Sequence, residues 1–374
     1  MNAMDPISRI LDKPFRDDLL SRGDAVALLT APAERQREIL AAADRLNRDL
    51  HAGRVSYIFN RNINFTNICY ADCIFCAYSR HPGQPDARCL TVEEVVALAL
   101  QTPGVDEICI QGGLNPEINF QHLLDITRAV HGALPRAHIH AFSPMEIEFH
   151  SRRAAITVDE ALARLVAAGL GSLCGTAAEI LVDRVRRDIC PAKLSAERWI
   201  EIVRTAHRMG LKSTSTILFG HIESPPDIAE HLGRLRELQQ ETGGFTEFIP
   251  LIFVPYRTPL GRQRGIREML PMPRVKLFYA TSRLFFGRVL VNLQTSWVKL
   301  GLPAALETLN VGVNDLGGTL LSENITRSAG GAHGEAMALE GLAAAIRSAG
   351  RTPVRRDTLY NVLAVNEQPA PARA

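Results

Sequence analysis

Two kinds of hydrophobic spacing divide this chain. Between residues 15 and 52, apolar side chains recur every three or four positions with little β-branching, which predicts helices. From residue 55 onward, short β-like runs alternate with helical stretches almost to the end of the chain. Eight runs are predicted to be strands: 57–64, 107–111, 138–142, 172–174, 212–219, 246–249, 289–293 and 313–315.

Helical segments separate these runs. Residues 91–100 begin with Thr-Val-Glu-Glu, which resembles a capping box. The other predicted helices are 119–132, 158–168, 196–209, 227–241, 274–286, 301–309 and 334–348. Eight β–α units in succession favour a (β/α)8 barrel, because parallel strands need crossover helices and eight such strands close a sheet. An open, doubly wound α/β sheet is the alternative.

The change in pattern also predicts how the chain is divided. We expect a helical lead-in at 1–54, a barrel at 55–350 and a C-terminal extension at 351–374. The final stretch, EQPAPARA, combines proline, alanine and charge and is predicted to be disordered.

Composition and charge narrow the class of protein. The 374 residues are 46% hydrophobic and 22% charged, as in ordinary globular proteins. A formal charge of +2 creates no strong field for a polyanion, so we expect neither nucleic acid nor a membrane surface as a partner. The N-terminus lacks the apolar core of a signal peptide, and no apolar run reaches bilayer length, which predicts a cytoplasmic protein.

Three of the seven cysteines form the most specific motif. Cys69, Cys73 and Cys76 have the spacing C-x3-C-x2-C directly after the first predicted strand, at the catalytic end of a barrel. Thiolates bind iron–sulfur clusters and zinc alike. A structural zinc site needs four protein ligands, and no second paired motif occurs in the chain. Three cysteines leave one iron of a 4Fe–4S cluster open, as binding of S-adenosylmethionine (SAM) through its amino and carboxylate groups requires.

Alternatives to that cluster remain. His81 or Cys89 would complete a zinc site, and the three cysteines would otherwise be unligated core residues. An aromatic residue immediately before the last cysteine, Phe75, fits a face for adenine but equally fits core packing. Gly112 and Gly113 end the second predicted strand, where glycines let backbone approach a ligand, although most such pairs are turns.

Polar residues gather at the ends of the later strands. His138 and His140 are predicted to share one strand face. They would contact substrate if that face points inward, and they would be packing residues if it points outward. Thr176 and Glu179 form a helix capping box or, alternatively, Glu179 binds SAM or substrate. The remaining strand-end candidates are Ser143, Glu146, Thr214, Ser215, Thr216, His221, Thr246, Glu247, Gln294, Thr295, Ser296, Asn314, Asp315 and Glu323.

Several segments resemble a known family. They are NRNINFTNICYADCIFCAYSR, IQGGLNPE, HIHAFSPMEI, GSLCGTAAEIL, STSTILFGH, TGGFTEFIPLIF, NLQTSWVKLG and NDLGGTLLSENITRSAGG. Over roughly residues 50–335, the chain is similar to the radical SAM family that includes the tyrosine-transferring subunit of deazaflavin FO synthase and the two futalosine enzymes of menaquinone synthesis. HAFSPMEI and GTAAEIL resemble the FO synthase subunit most. Cys174 stands where that subunit usually has proline, and FVPYRTPLGRQRG resembles a segment of the futalosine enzymes instead, so the substrates of those enzymes remain alternatives to the diaminouracil.

The resemblance implies a chemistry. A 4Fe–4S cluster on Cys69, Cys73 and Cys76 passes one electron from an external donor to SAM, and the resulting 5′-deoxyadenosyl radical abstracts hydrogen from L-tyrosine. Cleavage of the Cα–Cβ bond leaves dehydroglycine and a 4-oxidobenzyl radical, which adds to 5-amino-6-(D-ribitylamino)uracil. A second, ring-closing FO synthase subunit would then complete FO in coenzyme F-420 biosynthesis. Aminofutalosine synthase and dehypoxanthine futalosine cyclase are the sibling alternatives, and a non-catalytic metal-binding module is the alternative of another class.

The resemblance also implies roles for residues. Phe75, Gly112, Gly113 and Glu179 are the candidates for SAM, and Arg198 would pair with the SAM carboxylate unless it is a solvent-exposed helix residue. We predict Ser143, Glu146, His221, Glu247 and Glu323 as catalytic candidates. Gln294, Ser296 and Asn314 are the predicted substrate contacts.

Overall fold

The structure is a computed structural model that describes residues 5–321, 325–333 and 336–365. Ten strands lie within these ranges: β1 (Arg54–Ile58), β2 (Asn60–Asn64), β3 (Glu107–Gln111), β4 (His138–Ala141), β5 (Ser172–Leu173), β6 (Lys212–Phe219), β7 (Phe245–Ile252), β8 (Asp315–Gly318), β9 (Thr352–Arg356) and β10 (Val362–Val365).

Sixteen α-helices lie among the described residues. They are α1 (Pro6–Asp12), α2 (Arg22–Leu29), α3 (Ala33–His51), α4 (Val92–Leu100), α5 (Phe120–Ala133), α6 (Pro144–Arg153), α7 (Val158–Ala168), α8 (Asp183–Ile189), α9 (Ala196–Arg208), α10 (Pro225–Thr242), α11 (Pro259–Arg264), α12 (Met272–Phe286), α13 (Trp297–Leu300), α14 (Leu302–Thr308), α15 (Ile325–Ser328) and α16 (Leu339–Ser348). No described helix is long and apolar enough to cross a bilayer.

Parallel strands curve around one axis. Strands β2 to β7 form a six-stranded sheet in chain order, and β8 pairs with β1 in a second sheet. Single parallel bridges join the two, from Phe248 of β7 to Leu293 and from Gln294 to Asp315 of β8. The predicted parallel barrel is therefore confirmed, and the open sheet is not observed.

Three predicted strands need correction. The run predicted at 313–315 is displaced along the chain and forms β8 at Asp315–Gly318, so the two share only Asp315. The run 57–64 is divided at Phe59 into β1 and β2, because β1 pairs with β8 and β9 whereas β2 pairs with β3. The run predicted at 289–293 forms no strand and contributes only the bridge at Leu293, next to that at Gln294. Leu290 and Leu293 are buried, whereas Val291 is exposed, and the run forms no continuous ladder with β7 or β8.

Capping side chains determine where several helices begin. Thr91 and Glu94 form the predicted capping box at the start of α4. Ser224 and Asp227 form another, so α10 begins at Pro225 and not at the predicted residue 227. Such side chains satisfy N–H groups that a helix start leaves unpaired. Helix α16 begins at Leu339, and residues 334 and 335 of the predicted helix lie outside the described residues.

The two flanking regions pack on the barrel. Helix α3 lies against α12, and α2 lies against α10, so the lead-in covers one side of the outer helical layer. Past the barrel, β9 pairs with β1 in parallel and β10 with β9 in antiparallel. Arg355 of β9 forms an ion pair with Asp106, 2.7 Å apart, just before β3. The tail predicted to be disordered, 367–374, lies outside the described residues.

Candidate active site

The inner faces of the strands line one cavity of about 380 Å³. Because side chains alternate along a strand, every second residue of β2 and of β3 points into it. On β2 these are Asn60, Asn62 and Asn64, and their registered partners on β3 are Glu107, Cys109 and Gln111. The cavity runs from the start of these strands to the cysteine loop beyond their carboxyl ends.

The cysteine loop, residues 69–76, forms one end of this cavity. The Cys69 N–H donates to the Arg80 carbonyl at 2.9 Å, and the Cys76 N–H donates to the Cys73 carbonyl at 2.9 Å. The Ile74 N–H donates to the carbonyl of Ile189, which ends α8, at 3.0 Å. All three cysteines line the cavity. Backbone bonds to distant segments thus hold the whole loop at the catalytic end of the barrel.

The three thiols suit the predicted 4Fe–4S cluster in ligand type and in position. Three soft donors come from one loop and face the same space. Among the described residues no three metal-ligating side chains already stand as a preassembled group, so the fit rests on donor type and location. Burial raises the pKa of the Cys69 and Cys73 thiols, and the nearby Lys193 ammonium opposes that rise.

The glycine pair has a packing role that its sequence did not reveal. A Cβ on Gly113 would lie 2.2 Å from the Ile68 carbonyl oxygen, and one on Gly112 would lie 2.6 Å from the Phe65 ring. The Gly113 N–H donates to the Thr66 carbonyl at 2.9 Å. Both glycines line the cavity, but their lack of side chains first lets the start of the cysteine loop lie directly on the end of β3.

Glu179 is not part of a helix cap. Its carboxylate lies 2.5 Å from the ammonium of Lys193, and neither Thr176 nor Glu179 begins a helix. Ala177 and Glu179 have φ of 65° and 45°, a left-handed conformation that is costly for side chains larger than glycine. The capping-box interpretation is therefore wrong, and the strained turn directs Glu179 into the cavity.

Lys193 is a cavity residue that sequence reasoning missed. Its ammonium lies 5.2 Å from the centre of the Phe75 ring, within cation–π range. Burial opposes its charge, but the neighbouring Cys73 and Glu179 outweigh this and raise its pKa. A single lysine in a loop carries no sequence signal of its own. Phe75 of the cysteine loop forms one charged and aromatic group with Glu179 and Lys193.

Ser143 and Glu146 form a capping box at the start of α6. The Glu146 carboxylate accepts from the Ser143 N–H at 2.7 Å, and its other oxygen accepts from the Gly112 N–H at 2.9 Å. Both residues line the cavity. Burial raises the pKa of Glu146 to about 7 despite these bonds. Glu146 therefore links the end of β3 to α6, in addition to any contact with a bound molecule.

The opposite end of the cavity is a polar floor, which we define as Asn60, Glu107, His140, Glu247, Gln294 and Arg356. Arg356 lies 2.5 Å from the Asp315 carboxylate and 3.5 Å from that of Glu247. The Tyr360 hydroxyl donates to Glu247 at 2.6 Å. The C-terminal extension thus supplies the arginine of the floor, although its sequence has no recognisable site motif.

Electrostatics in the floor follow from burial. Burial lowers the pKa of His140 to about 4, so this imidazole is neutral, and its Nδ1 lies 2.7 Å from the Ser172 hydroxyl. Burial raises the pKa of Glu247 to about 7, which the Arg356 guanidinium opposes. His138 bonds the same Ser172 from the other side, at 2.7 Å, and does not line the cavity. Of the two histidines, only His140 faces the cavity.

The remaining predicted residues fall into two sets. Gln294 and Ser296 line the cavity. His221 does not, because its ring bonds to the Leu218 carbonyl and the Ile222 N–H at 3.0 and 2.7 Å.

Asn314 and Arg198 also lie away from the cavity lining. The Asn314 amide oxygen accepts from Arg283 and from the Leu293 N–H at 2.7 and 2.8 Å. Arg198 pairs with Glu148 at 2.8 Å on the outer helices, and its side chain is 40% exposed, so it is a partly exposed helix arginine and does not face the cavity. Glu323 lies outside the described residues.

The segment that departs from the FO synthase pattern supports the cysteine loop. Phe253 and Val254 line the cavity after β7. Further along, the Leu260 N–H donates to the Ile74 carbonyl, between Cys73 and Cys76, at 2.7 Å. The later part of this segment therefore supports the cysteine loop, whereas only Phe253 and Val254 of the segment face the cavity.

Comparison with known proteins agrees with this geometry. The family model described as Radical SAM superfamily matches residues 63–235, and that described as CofH/MqnC C-terminal region matches residues 242–369. Among solved structures, a methylornithine synthase has a TM-score of 0.72 at 18% identity, covering 92% of this chain and 97% of its own. The FeFe-hydrogenase maturase HydG from Carboxydothermus hydrogenoformans also has 0.72, at 16% identity, over 95% of this chain and 80% of its own. The barrel and its cysteine loop are those of a radical SAM protein.

Curated relatives narrow the class. Proteins named 5-amino-6-(D-ribitylamino)uracil–L-tyrosine 4-hydroxyphenyl transferase are 44% identical in Methanopyrus kandleri and 43% in Methanothermobacter thermautotrophicus. The alignments cover 88% of this chain and 89% of the first relative, and 96% and 98% for the second. The chain belongs to this family of radical SAM transferases. The family predicted from the sequence segments is thus confirmed.

Proposed function

We propose that this chain transfers the 4-hydroxybenzyl group of L-tyrosine to 5-amino-6-(D-ribitylamino)uracil. The observation that carries the proposal is its similarity, at 42–44% identity over most of both chains, to relatives that bear the name of this activity. The cavity offers complementary support, since it places a thiol loop at one end and a polar floor at the other.

Cys69, Cys73 and Cys76 would hold a 4Fe–4S cluster, with its fourth iron left for SAM. When bound, the cluster and SAM together supply a carbon radical that removes hydrogen from an unactivated position. Phe75, Gly112, Gly113, Glu179 and Lys193 surround the neighbouring part of the cavity and would hold SAM there. The Lys193–Glu179 pair places opposite charges that suit the ammonium and carboxylate of an amino-acid group.

Apolar side chains would keep water from the reacting groups. Leu114, Met145, Leu218 and Phe253 are buried and line the middle and upper cavity. A dry interior protects a reactive carbon from side reactions. Ser143 and Glu146 act on this region by fixing the backbone of Gly112, and Gln294, Ser296 and Glu247 are available for substrate.

The extension from residue 351 would work as part of the barrel, because Arg356 is one of the floor residues. An external one-electron donor and a ring-closing FO synthase subunit would complete the sequence of reactions. We propose both from the chemistry alone.

An anaerobic product assay tests the proposed function. Reconstituted protein, reductant and SAM are combined with tyrosine plus the diaminouracil, or with the futalosine-route substrates, and products are identified by mass. We expect a coupled product from tyrosine and the diaminouracil only. Product from a futalosine substrate alone would assign the chain to the sibling reaction. Iron well below about four atoms per chain, with no SAM cleavage, would favour the non-catalytic alternative.

A further inference from the structure

Five exposed arginines belong to two short segments that pack on the cysteine loop. We call them the arginine patch: Arg187, Arg257, Arg262, Arg264 and Arg267. Within the described residues, only Arg264 of the patch lies within ion-pair distance of a carboxylate, that of Asp188 at 3.7 Å. Asp188 and Glu268 are the exposed acids of the same two segments, so this surface keeps a net positive charge.

Arginines on other helices share their acids more evenly. Arg204 and Arg208 both pair with Glu241 at 2.9 Å. Arg22 and Arg234 both pair with Glu230, at 2.7 and 2.8 Å. Although the whole chain has a formal charge of only +2, its positive charge is therefore concentrated at the arginine patch. Such a local excess attracts an acidic partner and orients it.

The two segments of the patch are bonded to the cysteine loop through its backbone. Ile74, between two of the cysteines, donates its N–H to the carbonyl of Ile189 at the end of α8, at 3.0 Å. The Ile74 carbonyl accepts from the N–H of Leu260 in α11, at 2.7 Å. The Arg264–Asp188 pair links the same two helices at the surface. A protein seated on the patch is therefore separated from the cysteine loop only by these short helices.

An exposed aromatic residue adjoins the patch. Tyr256 directly precedes Arg257 and is 53% exposed. Tyrosine and arginine are the side chains that most often carry binding energy at protein interfaces. The surface therefore has the composition of a docking site for a protein, with guanidinium groups around an aromatic anchor.

We infer that the arginine patch docks the external electron donor, an acidic iron–sulfur protein of the ferredoxin type. The inference rests on the proposed function and adds the chemistry and position of one partner to it. An iron–sulfur carrier delivers single electrons, as the cysteine site requires, and carboxylates on its surface match the guanidinium groups. One electron leaves the reduced carrier and enters the cluster held by Cys69, Cys73 and Cys76. No bond forms or breaks in this transfer, and no proton moves.

Binding of a plant-type 2Fe–2S ferredoxin to the reconstituted enzyme, followed by biolayer interferometry, tests the surface. Arg187→Glu and Arg262→Glu should each weaken binding about tenfold at low salt, mainly by slowing association. Thermal unfolding midpoints should not change, because neither arginine has an acidic partner within the described residues. Wild-type affinity should fall as salt is added, since screening weakens exposed charge pairs. Equal affinity of wild type and both variants would overturn the inference.

A double variant at the other end of the barrel is the matched control. Arg54 begins β1 and Arg136 lies two residues before β4, and both are exposed. Arg54→Glu combined with Arg136→Glu changes the net charge as much as the double patch variant does, but it should leave ferredoxin affinity unchanged. If the control loses as much affinity as the double patch variant, binding follows net charge alone and the patch is not the docking site.

SAM cleavage with two electron sources separates docking from the integrity of the cluster. With limiting ferredoxin and its NADPH-dependent reductase, the double patch variant should cleave SAM at least about tenfold more slowly than wild type. With dithionite, the two rates should be equal. Equal slowing with both sources would show that the arginines support the cysteine loop and do not dock a carrier.

Two further outcomes identify what has failed. Tighter binding of a flavodoxin than of the ferredoxin, with the same dependence on Arg187 and Arg262, would overturn the choice of an iron–sulfur carrier. A wild-type enzyme that cleaves SAM with ferredoxin but joins no tyrosine fragment to the diaminouracil would refute the proposed function and leave the docking surface supported.

Discussion

The two ends of the cavity are built in different ways. The cysteine end comes from eight consecutive residues, 69–76, whose spacing alone indicates the ligand set. The floor takes residues from β2, β3, β4, β7, the segment after Leu293 and the C-terminal extension. The chemistry of the cysteine loop can therefore be predicted from the sequence. The polar floor, in contrast, forms only when the barrel brings distant segments together. Damage to each end should have a different signature.

The largest effect is expected at the cysteine end. Cys73→Ala removes one of three thiolates, so the cluster should be lost and turnover abolished, while the chain remains folded. Iron content and SAM cleavage after anaerobic reconstitution measure this. Cys89→Ala and His81→Ala are the matched controls and should keep both properties. Retained SAM cleavage in the Cys73 variant, or iron loss in a control, would contradict the proposed ligand set.

At the floor, stability should suffer first. Arg356→Leu leaves Asp315 and Glu247 buried without their cation, and removing one partner of a buried pair costs about 3–5 kcal/mol. Denaturant unfolding measures the change. Arg288→Leu breaks an exposed pair with Asp17 and should cost less than about 1 kcal/mol. If both variants lose a similar free energy of unfolding, the buried ion pairs of Arg356 contribute no more to stability than an exposed pair.

Between the two ends, Glu146 should make stability depend on pH. Burial raises its pKa from 4.5 to about 7, so the folded chain binds more protons than the unfolded chain between those values. The free energy of unfolding therefore falls as pH rises from 4.5 to about 7. Outside this range, the titration of Glu146 does not change it.

Glu146→Gln removes that titration but also one acceptor of the Gly112 and Ser143 bonds. The free energy of unfolding of the variant minus that of wild type should therefore be higher at about pH 8 than at about pH 5, by on the order of 2–3 kcal/mol. Thermal or denaturant unfolding at both pH values measures this. A difference that does not vary with pH would refute the raised pKa.

The contact between β3 and the cysteine loop offers a smaller perturbation. Gly113→Ala places a methyl group against the Ile68 carbonyl, and such overpacking costs about 1–3 kcal/mol. Because the obstacle is the backbone of Ile68, which directly precedes the cysteine loop, iron retention should also fall. Gly132→Ala on α5 meets no atom within 4 Å and should stabilise the chain slightly. If the Gly113 variant keeps the iron content and the free energy of unfolding of wild type, this glycine does not have the packing role proposed for it.

Residue by residue, the sequence predicted what is local. The strand runs from 107–111 to 246–249, the capping box at Thr91 and the cysteine loop are found where the patterns place them, because period and cap chemistry act over a few residues. The strand predicted at 289–293 failed, since an apolar run packs equally well without a ladder. His221 and Asn314 stand at strand ends but turn away from the cavity, a difference of side-chain direction that strand position does not specify.

Long-range assembly explains what was missed. Lys193, Arg356 and the β2 asparagines carry no motif, and they become cavity residues only through contacts with strands far away in the chain. Arg356 is the clearest case, because the extension that carries it was separated from the barrel in the sequence-based division, yet it pairs with Asp315 and Glu247 inside it.

The most direct test of the account follows the tyrosine ring into the product. Reconstituted enzyme is given SAM, reductant, the diaminouracil and tyrosine with a uniformly labelled ring, and the coupled product is analysed by mass. We predict that the product carries the full ring label joined to the diaminouracil. SAM cleavage with no labelled adduct, while a futalosine-route substrate is converted, would contradict the account.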